Sequence, residues 1–410
     1  MDVFIKKGGI SMAGISKNKV DKKVMGGLDK VRVAAIQAPQ IVFNKEKSVE
    51  IACQNIKEAG ANGAQLVAFS ETYIPAYPAY YTGGFSNQIE EWAMWNVSLQ
   101  EHSIAIPGDE TEIIGNACKE AGVFCVMGVN ELDDTPGSRT LYNTQILFGD
   151  DGSILGRHRK LIPTYTERAY WGQGDGSDLQ VHKTQIGRIG SLICWEHHTP
   201  LLRAAQMLMG EEFHIANWPG NWTFGKRNDN GGRKGRLAEP SVDPMNSDSQ
   251  FAAREYAFQS GSFVISVSGL LREQDFEPEF KSFIDSPHMN FDWAVGGSSI
   301  INPFGEHIAG PVFNEDTIVY ADCEANEIKA AKVVFDSLGH YSRPDVVKLL
   351  LQEEEKRNIL FESGNGLTYK DLKNVSESTE VPVQKLEKIV EKFESLMTSK
   401  ENGSREIKAR

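Results

Sequence analysis

Short apolar runs recur along this chain, and stretches with helical spacing of apolar residues separate them. Residues 31–36 and 65–69 are predominantly apolar and predict strands that are covered on both faces. Between them, Asn44 is a suitable N-cap for a helix that reaches about Ala59, and Gly60 is suited to end it. A strand, a helix and a second strand in that order are the beginning of an α/β pattern.

The same alternation continues through the middle of the chain. The pattern predicts a helix at 109–121, strands at 123–129, 141–148 and 189–194, a helix at 200–209, a strand at 213–217, a helix at 250–260, and strands at 263–268 and 297–301. A turn at 150–152 leads into a hairpin partner for the strand before it. We therefore predict an α/β fold whose functional groups collect beyond the ends of the strands.

Two segments interrupt this rhythm and suggest the domain organisation. Residues 1–30 are predicted to be a flexible extension, 31–345 one domain with a long loop insertion at 219–249, and 346–410 a helical tail. The tail carries an amphipathic stripe after Pro382, made of Leu386, Ile389, Val390, Phe393 and Leu396. This stripe fits a helix docked on its own domain and a contact between copies of the chain equally well.

Composition and charge exclude several classes of function. The 43 basic and 56 acidic residues give a formal charge of −13, whereas nucleic-acid-binding surfaces are usually basic. No apolar run approaches the roughly 18 residues of a membrane-spanning helix, and the first 30 residues lack the apolar stretch of a signal peptide. The five cysteines are far apart and include no Cys-x-x-Cys pair, which favours reduced thiols in a cytoplasmic protein without a metal or cofactor.

Three reactive side chains each follow an apolar strand. Glu71 comes after the strand at 65–69, Lys160 after the hairpin, and Cys194 at the end of the strand at 189–194. Each is ordinary by itself: a strand-end cysteine is usually a small buried hydrophobe, and a lysine in Arg-His-Arg-Lys usually belongs to a charged surface. Together they supply a nucleophile, a base for its proton, and a cation for charge that develops on nitrogen.

The stretches around these residues resemble the motifs of the nitrilase superfamily. Glu71 lies in Phe-Ser-Glu-Thr-Tyr-Ile-Pro, Lys160 in Arg-Lys-Leu-Ile-Pro-Thr, and Cys194 in Ile-Cys-Trp-Glu-His. Glu167 in Tyr-Thr-Glu-Arg matches the second glutamate of that family, which positions the lysine and the water or substrate. The resemblance covers about 31–345 and implies a four-layer αββα sandwich, Glu71 as general base, Lys160 as the stabiliser of charge on nitrogen, and Cys194 as nucleophile.

The residues after the cysteine are similar to one branch of that superfamily. Cys194-Trp195-Glu196 resembles true nitrilases and cyanide dihydratases, whereas amidases commonly carry aspartate two residues after the cysteine. The stretches 171–177 and 339–345 are similar to the same branch, while Ser70 departs from the proline that is usual before the glutamate. The resemblance implies hydrolysis of an organic nitrile through a covalent thioimidate and thioester, without cofactor or metal, by homodimers that assemble into larger oligomers or spirals.

Several alternatives remain open from the sequence. The same triad fits cyanide dihydration or amide hydrolysis, and an idle member of the superfamily could be a filament-forming structural protein. An unrelated hydrolase could use His197 or His198 as base, although both follow the cysteine closely. Candidate residues for the substrate pocket are Tyr77, Trp195 and Trp218, together with Tyr73 and Tyr80, and all of them fit core packing as well. We expect Glu196 to hold the turn through backbone hydrogen bonds.

Overall fold

Side chains of the first strand, β1 (Lys30–Gln37), face two different layers of the molecule. Val31 and Val33 pack into a core shared with a second sheet, whereas Ala34 and Ile36 pack into a core shared with helices. A strand with both faces covered must lie in an inner layer. The structure is a computed structural model, and it describes residues 23–81, 89–221, 245, 247–286, 294–353 and 388.

The described residues form helices and strands in near alternation. The helices are α1 (Lys45–Ala61), α2 (Ile89–His102), α3 (Asp109–Ala121), α4 (Pro200–Leu208), α5 (Asp248–Ser260) and α6 (Ala325–Val334). The further strands are β2 (Leu66–Phe69), β3 (Phe124–Leu132), β4 (Leu141–Phe148), β5 (Ile154–Arg159), β6 (His182–Thr184), β7 (Gly187–Ile193), β8 (Phe213–Trp218), β9 (Phe263–Ser268), β10 (Gly296–Ile301), β11 (His307–Phe313) and β12 (Thr317–Glu324).

These strands build two six-stranded mixed sheets that pack face to face. The first sheet has the order β12-β1-β2-β3-β4-β5, and the second has the order β11-β10-β9-β8-β7-β6. Apolar side chains of both sheets fill the layer between them. Helices α1 and α3 cover the outer face of the first sheet, and α4 and α5 cover that of the second. The four layers confirm the predicted αββα sandwich.

Most predicted elements occur within a few residues of their expected bounds. Asn44 caps α1 by accepting a hydrogen bond from the backbone N–H of Lys47 at 2.9 Å, as its position suggested. The end of the strand predicted at 189–194 differs by one residue, because β7 ends at Ile193 and Cys194 begins a 3-10 turn. Helices α2 and α6 and strands β6, β11 and β12 were not predicted.

Several predictions fall on residues outside the described part of the chain. These are most of the extension at 1–30, most of the loop at 219–249, and the tail beyond residue 353 apart from Lys388. The chain divides into two units, Met1–Glu355 and Lys356–Arg410, and the sandwich lies in the first. Among the described residues, no helix combines the length and the apolar character needed to cross a membrane.

Candidate active site

Glu71 lies just beyond the end of β2, on the side of the first sheet that faces the end of β8. Its backbone N–H donates to the carbonyl of Trp218 at 3.4 Å, which links the ends of β2 and β8. The turn passes so close over β3 that a Cβ on Gly128 would overlap the backbone of residues 70–72, so the position requires glycine. The Glu71 side chain is fully buried, and Asn143 of β4 donates to its Oε1 at 2.6 Å.

Lys160 follows β5 and points inward between two carboxylates. Its Nζ donates to Glu71 Oε1 at 2.9 Å and to Glu167 Oε2 at 2.7 Å. The lysine is 1% exposed, so both ion pairs are shielded from water. Alternation along β5 explains the orientation, because Arg157 and Arg159 project to the other side, where both donate to Glu131.

Glu167 is held in place by its own local turn. Thr164 precedes a 3-10 helix at Tyr165–Ala169, and its backbone N–H donates to Glu167 Oε2 at 2.6 Å. The hydroxyl of Tyr77 donates to Glu167 Oε1 at 2.5 Å. With Lys160 as the third donor, this buried carboxylate is fixed from three sides and can orient the ammonium.

Cys194 stands at the sharp turn between β7 and α4. Its φ is +50°, a left-handed conformation that is uncommon for a residue with a side chain and costs on the order of 1–3 kcal/mol. The thiol is 2% exposed. Its Sγ, one oxygen of Glu71 and one oxygen of Glu167 all lie within 4.8 Å of one another. The structure therefore brings together the four residues that the sequence suggested from three separate stretches of the chain.

The charges of this cluster fit proton transfer from the thiol. Burial raises the pKa of the Cys194 thiol well above its ordinary value, and the nearby Glu71 raises it further, so the resting group is a thiol. Burial likewise raises the pKa of Glu71 to about 7, although Lys160 opposes the shift. Burial alone would lower the pKa of Lys160, but Glu167 and Glu71 outweigh it and keep the ammonium protonated. Glu71 Oε2 has no hydrogen-bond partner among the described residues, so it can accept a proton.

These carboxylate and thiol groups are also close enough to bind a metal ion together. The Lys160 ammonium already lies between the carboxylates, however, and supplies the positive charge that a metal ion would bring. The donor set is therefore better suited to an internal cation than to a divalent metal.

Glu196 has a structural role that joins the two sheets. Its Oε2 accepts from the backbone N–H of Ile193 at 2.8 Å, and its Oε1 accepts from the backbone N–H of Leu161 at 2.8 Å. Its Oε2 also lies 2.9 Å from His158 Nε2. The residue after Lys160 and the residue before Cys194 are thus held by one buried carboxylate.

The pocket candidates lie at different depths. Tyr77 contacts the cluster directly through Glu167. Trp195 is partly exposed, and its Nε1 donates to the buried Asp248 at 2.6 Å. Trp218 packs on the helix side of the second sheet, where its Nε1 donates to Ser266 and its ring lies 4.9 Å from that of His197.

Sequence reasoning missed several residues around the cluster. Asn143 is the clearest case, because asparagine is unfavourable inside a strand and its presence there signals a buried polar contact. Asp248 lay at the edge of the predicted loop and gave no signal. The position of His197 argues against the rival hypothesis that it acts as the base. Its Nδ1 faces the backbone carbonyl of Cys194 and its Nε2 faces His214, so neither nitrogen is directed at the thiol.

Comparison with known proteins decides the family. A family model described as carbon-nitrogen hydrolase matches residues 32–333. The chain belongs to this family. As a carbon-nitrogen hydrolase it carries Glu71, Lys160, Glu167 and Cys194 within the matched region, and the resemblance to the nitrilase superfamily is confirmed.

Named relatives and a solved structure agree with this assignment. This carbon-nitrogen hydrolase is 34% identical over 342 residues to "Nitrilase 2" of an unknown prokaryotic organism, which covers 83% of this chain and 98% of that protein. It is 34% identical over 322 residues to the "Aliphatic nitrilase" of Rhodococcus rhodochrous, with coverage of 78% and 81%. The crystal structure of a carbon-nitrogen hydrolase from Helicobacter pylori G27 superposes with a TM-score of 0.57 at 17% identity, over 77% of this chain and 96% of that one, and supports the fold.

Proposed function

We propose that this carbon-nitrogen hydrolase is a nitrilase that converts an organic nitrile and two waters to a carboxylic acid and ammonia. The observation that carries the proposal is the buried Lys160 ammonium between Glu71 and Glu167, with the Cys194 thiol beside both carboxylates. This set provides a nucleophile, a base and a fixed cation in a site closed to bulk water. Relatives named as nitrilases, 34% identical over most of the chain, support the same conclusion.

Each proposed step uses one of these groups. Glu71 takes the proton of Cys194, and the sulfur attacks the nitrile carbon to form a thioimidate. Lys160 stabilises the negative charge that develops on nitrogen and provides a proton there. Glu71 then passes the proton that it took from the thiol to Lys160 Nζ, which lies 2.9 Å from its Oε1, so that the carboxylate and the ammonium are both restored. Water deprotonated by Glu71 then attacks the carbon, ammonia leaves, and a thioester remains. A second water releases the acid and restores the thiol, with Glu167 holding Lys160 in place throughout.

The first experiment compares two cysteine variants in a substrate panel. Ammonia release is measured with benzonitrile, phenylacetonitrile, butyronitrile, cyanide and propionamide. We expect turnover of at least one organic nitrile, its loss in Cys194→Ala, and its retention in Cys323→Ala, which removes an equally buried thiol from β12. Nitrile turnover by Cys194→Ala would refute the nucleophile assignment.

The panel also separates the rival activities. Turnover of cyanide alone would establish a cyanide dihydratase, and turnover of propionamide without any nitrile would establish an amidase. Intact-protein mass spectrometry of the wild type during turnover should detect a covalent adduct on Cys194, and Glu71→Gln should form it much more slowly, because Glu71 also takes the proton of the thiol. An inactive structural protein would give neither turnover nor an adduct.

We further propose that the protein acts as a cytoplasmic homo-oligomer. The outer faces of α4 and α5 expose large apolar side chains, with Leu201 69%, Leu208 47%, Phe251 53% and Phe258 43% exposed. Apolar surface of this kind is typical of a contact between copies of a chain. Size-exclusion chromatography of the full chain and of a variant lacking 375–410 tests the oligomer and the contribution of the tail, and a monomeric full chain would contradict the proposal.

A further inference from the structure

A row of buried polar side chains lies behind Cys194, on the helix side of the second sheet. It consists of His197 in the turn after the cysteine, His214 on β8, Glu211 just before β8 and Tyr256 on α5. None of the four is more than 3% exposed. Buried ionisable side chains are uncommon unless they are paired, and the reaction described above uses none of these.

Hydrogen bonds connect these four residues to the backbone of the cysteine. His197 Nδ1 lies 2.7 Å from the carbonyl oxygen of Cys194, and His197 Nε2 lies 2.9 Å from His214 Nε2. His214 Nδ1 lies 2.7 Å from Glu211 Oε2. The Tyr256 hydroxyl donates to Glu211 Oε1. The row is thus continuous from the nucleophile to α5.

The chemistry of each atom fixes the direction of donation. A carbonyl oxygen only accepts, so His197 Nδ1 carries a hydrogen. Burial, followed by the neighbouring His214, lowers the pKa of His197 well below its ordinary value, so this ring is neutral and its Nε2 accepts. His214 Nε2 must then donate, and one further proton lies between His214 and Glu211. Every member therefore has a partner with matching polarity.

Packing holds the same residues rigidly. The His214 ring stacks on the Tyr256 ring with 3.8 Å between centroids. The Glu211 carboxylate lies against the backbone of β7 at Gly190, where a Cβ would overlap it, so the glycine leaves room for the carboxylate in this position. This arrangement resists rotation of either histidine and makes the row a stiff support.

We propose that the row Tyr256–Glu211–His214–His197 is a positioning device for the nucleophile: it fixes the carbonyl of Cys194 and so keeps the residue in the left-handed conformation that aims its thiol. Rotation of a residue about its Cα–C bond sets the direction of its carbonyl, so a fixed carbonyl fixes that dihedral angle. The strained φ of +50° needs such support, because the unrestrained backbone would relax toward a commoner conformation. This inference rests on the proposed role of Cys194 as nucleophile.

The test pairs each disruptive variant with one that keeps the hydrogen bonds. His197→Leu removes the donor to Cys194, whereas His197→Asn places an amide N–H near the position of Nδ1. Glu211→Leu breaks the row, whereas Glu211→Gln can accept from Tyr256 and donate to His214. Steady-state kinetics use whichever of benzonitrile, phenylacetonitrile and butyronitrile the wild type hydrolyses fastest.

We expect His197→Leu and Glu211→Leu to lower kcat by about 10- to 100-fold, since small misplacement of a reacting atom has effects of this size. KM should stay within about threefold, and the Asn and Gln variants should retain most of kcat. Ile215→Val, which trims the opposite face of β8, is the control for general destabilisation and should leave kcat unchanged. If His197→Leu does not fold, the Glu211 pair decides alone.

Unchanged kcat in the folded leucine variants, a change confined to KM, or equal losses in the leucine and the conservative variants would each overturn the inference. These results are distinguishable from failure of the proposed function. In that case Cys194→Ala would keep its activity, whatever the variants of the row do.

Discussion

The buried carboxylate of Glu196 connects the residue after Lys160 to the residue before Cys194. We therefore expect its replacement to lower the stability of the fold. Replacement by glutamine keeps the size of the side chain but directs an amide N–H at backbone N–H groups or at His158. Each buried donor left without an acceptor costs about 1–3 kcal/mol. Two backbone donors and His158 converge on this carboxylate, so we expect Glu196→Gln to lower the free energy of unfolding by about 3 kcal/mol.

The contribution of Glu196 and His158 to the free energy of unfolding should depend on pH, because both side chains are ionisable. Burial opposes the charged form of each, but their attraction dominates: the pKa of His158 is raised and that of Glu196 is lowered. The stabilisation from His158 is present below its unfolded pKa of about 6.5 and is lost as pH rises through the folded value. That from Glu196 is present above about pH 4.3 and is lost as pH falls through the folded value. The charged pair therefore contributes most between about pH 4.3 and 6.5.

The coupling energy between Glu196 and His158 is measured by a double-mutant cycle. It compares the urea unfolding of the wild type, Glu196→Gln, His158→Gln and the double variant. We expect a coupling energy of at least about 1 kcal/mol near pH 5.5 that becomes clearly smaller near pH 9. Glu101→Gln on the exposed side of α2 is the control and should change stability by less than about 0.5 kcal/mol. A coupling energy that is the same at both pH values would refute the charged pair. Glu196→Gln should also lower kcat about 100-fold, since both reacting groups depend on its position.

Two further predictions concern the reaction itself. Because Glu71 must be ionised to accept the thiol proton and burial raises its pKa to about 7, kcat/KM should rise with pH around a midpoint of about 7; a midpoint near 4 would show that another group controls the rate. Tyr77→Phe removes one of the three donors to Glu167 and should lower kcat about tenfold with little change in melting temperature. Tyr73→Phe is the control and should match the wild type, because the Tyr73 hydroxyl has no hydrogen-bond partner among the described residues.

The sequence predicted the parts of the site that depend on local pattern. Glu71 and Cys194 each follow an apolar run and Lys160 follows a predicted hairpin strand, and the ends of strands in an α/β fold meet at common edges, so their convergence could be expected. The segment 157–160, Arg-His-Arg-Lys, has the composition of a charged surface. Strand alternation instead directs His158 and Lys160 toward Glu196 and Glu71, and Arg157 and Arg159 to the other side of the strand. That division could be anticipated once the strand itself was predicted.

Contacts between distant segments could not be predicted in this way. Glu196 meets Leu161 and His158 only because the end of β5 in one sheet lies opposite the end of β7 in the other. The register between two stacked sheets depends on how all the side chains between them pack, and no single segment encodes it. His214 was likewise invisible as a partner of His197, since an isolated histidine inside an apolar strand carries no information about what lies beside it.

The division of the triad between two sheets has a consequence for how this protein would fail. Glu71 and Lys160 follow strands of the first sheet and Cys194 follows a strand of the second, so the distances from Cys194 to the other two depend on the alignment of one sheet on the other. A slippage too small to expose the core would already separate base from thiol. Heating or mild denaturant should therefore abolish turnover before circular dichroism detects any loss of structure, and long storage should leave folded but inert molecules. Substitutions that hold the two sheets in their native alignment should therefore extend the lifetime of the activity, even where the melting temperature hardly changes.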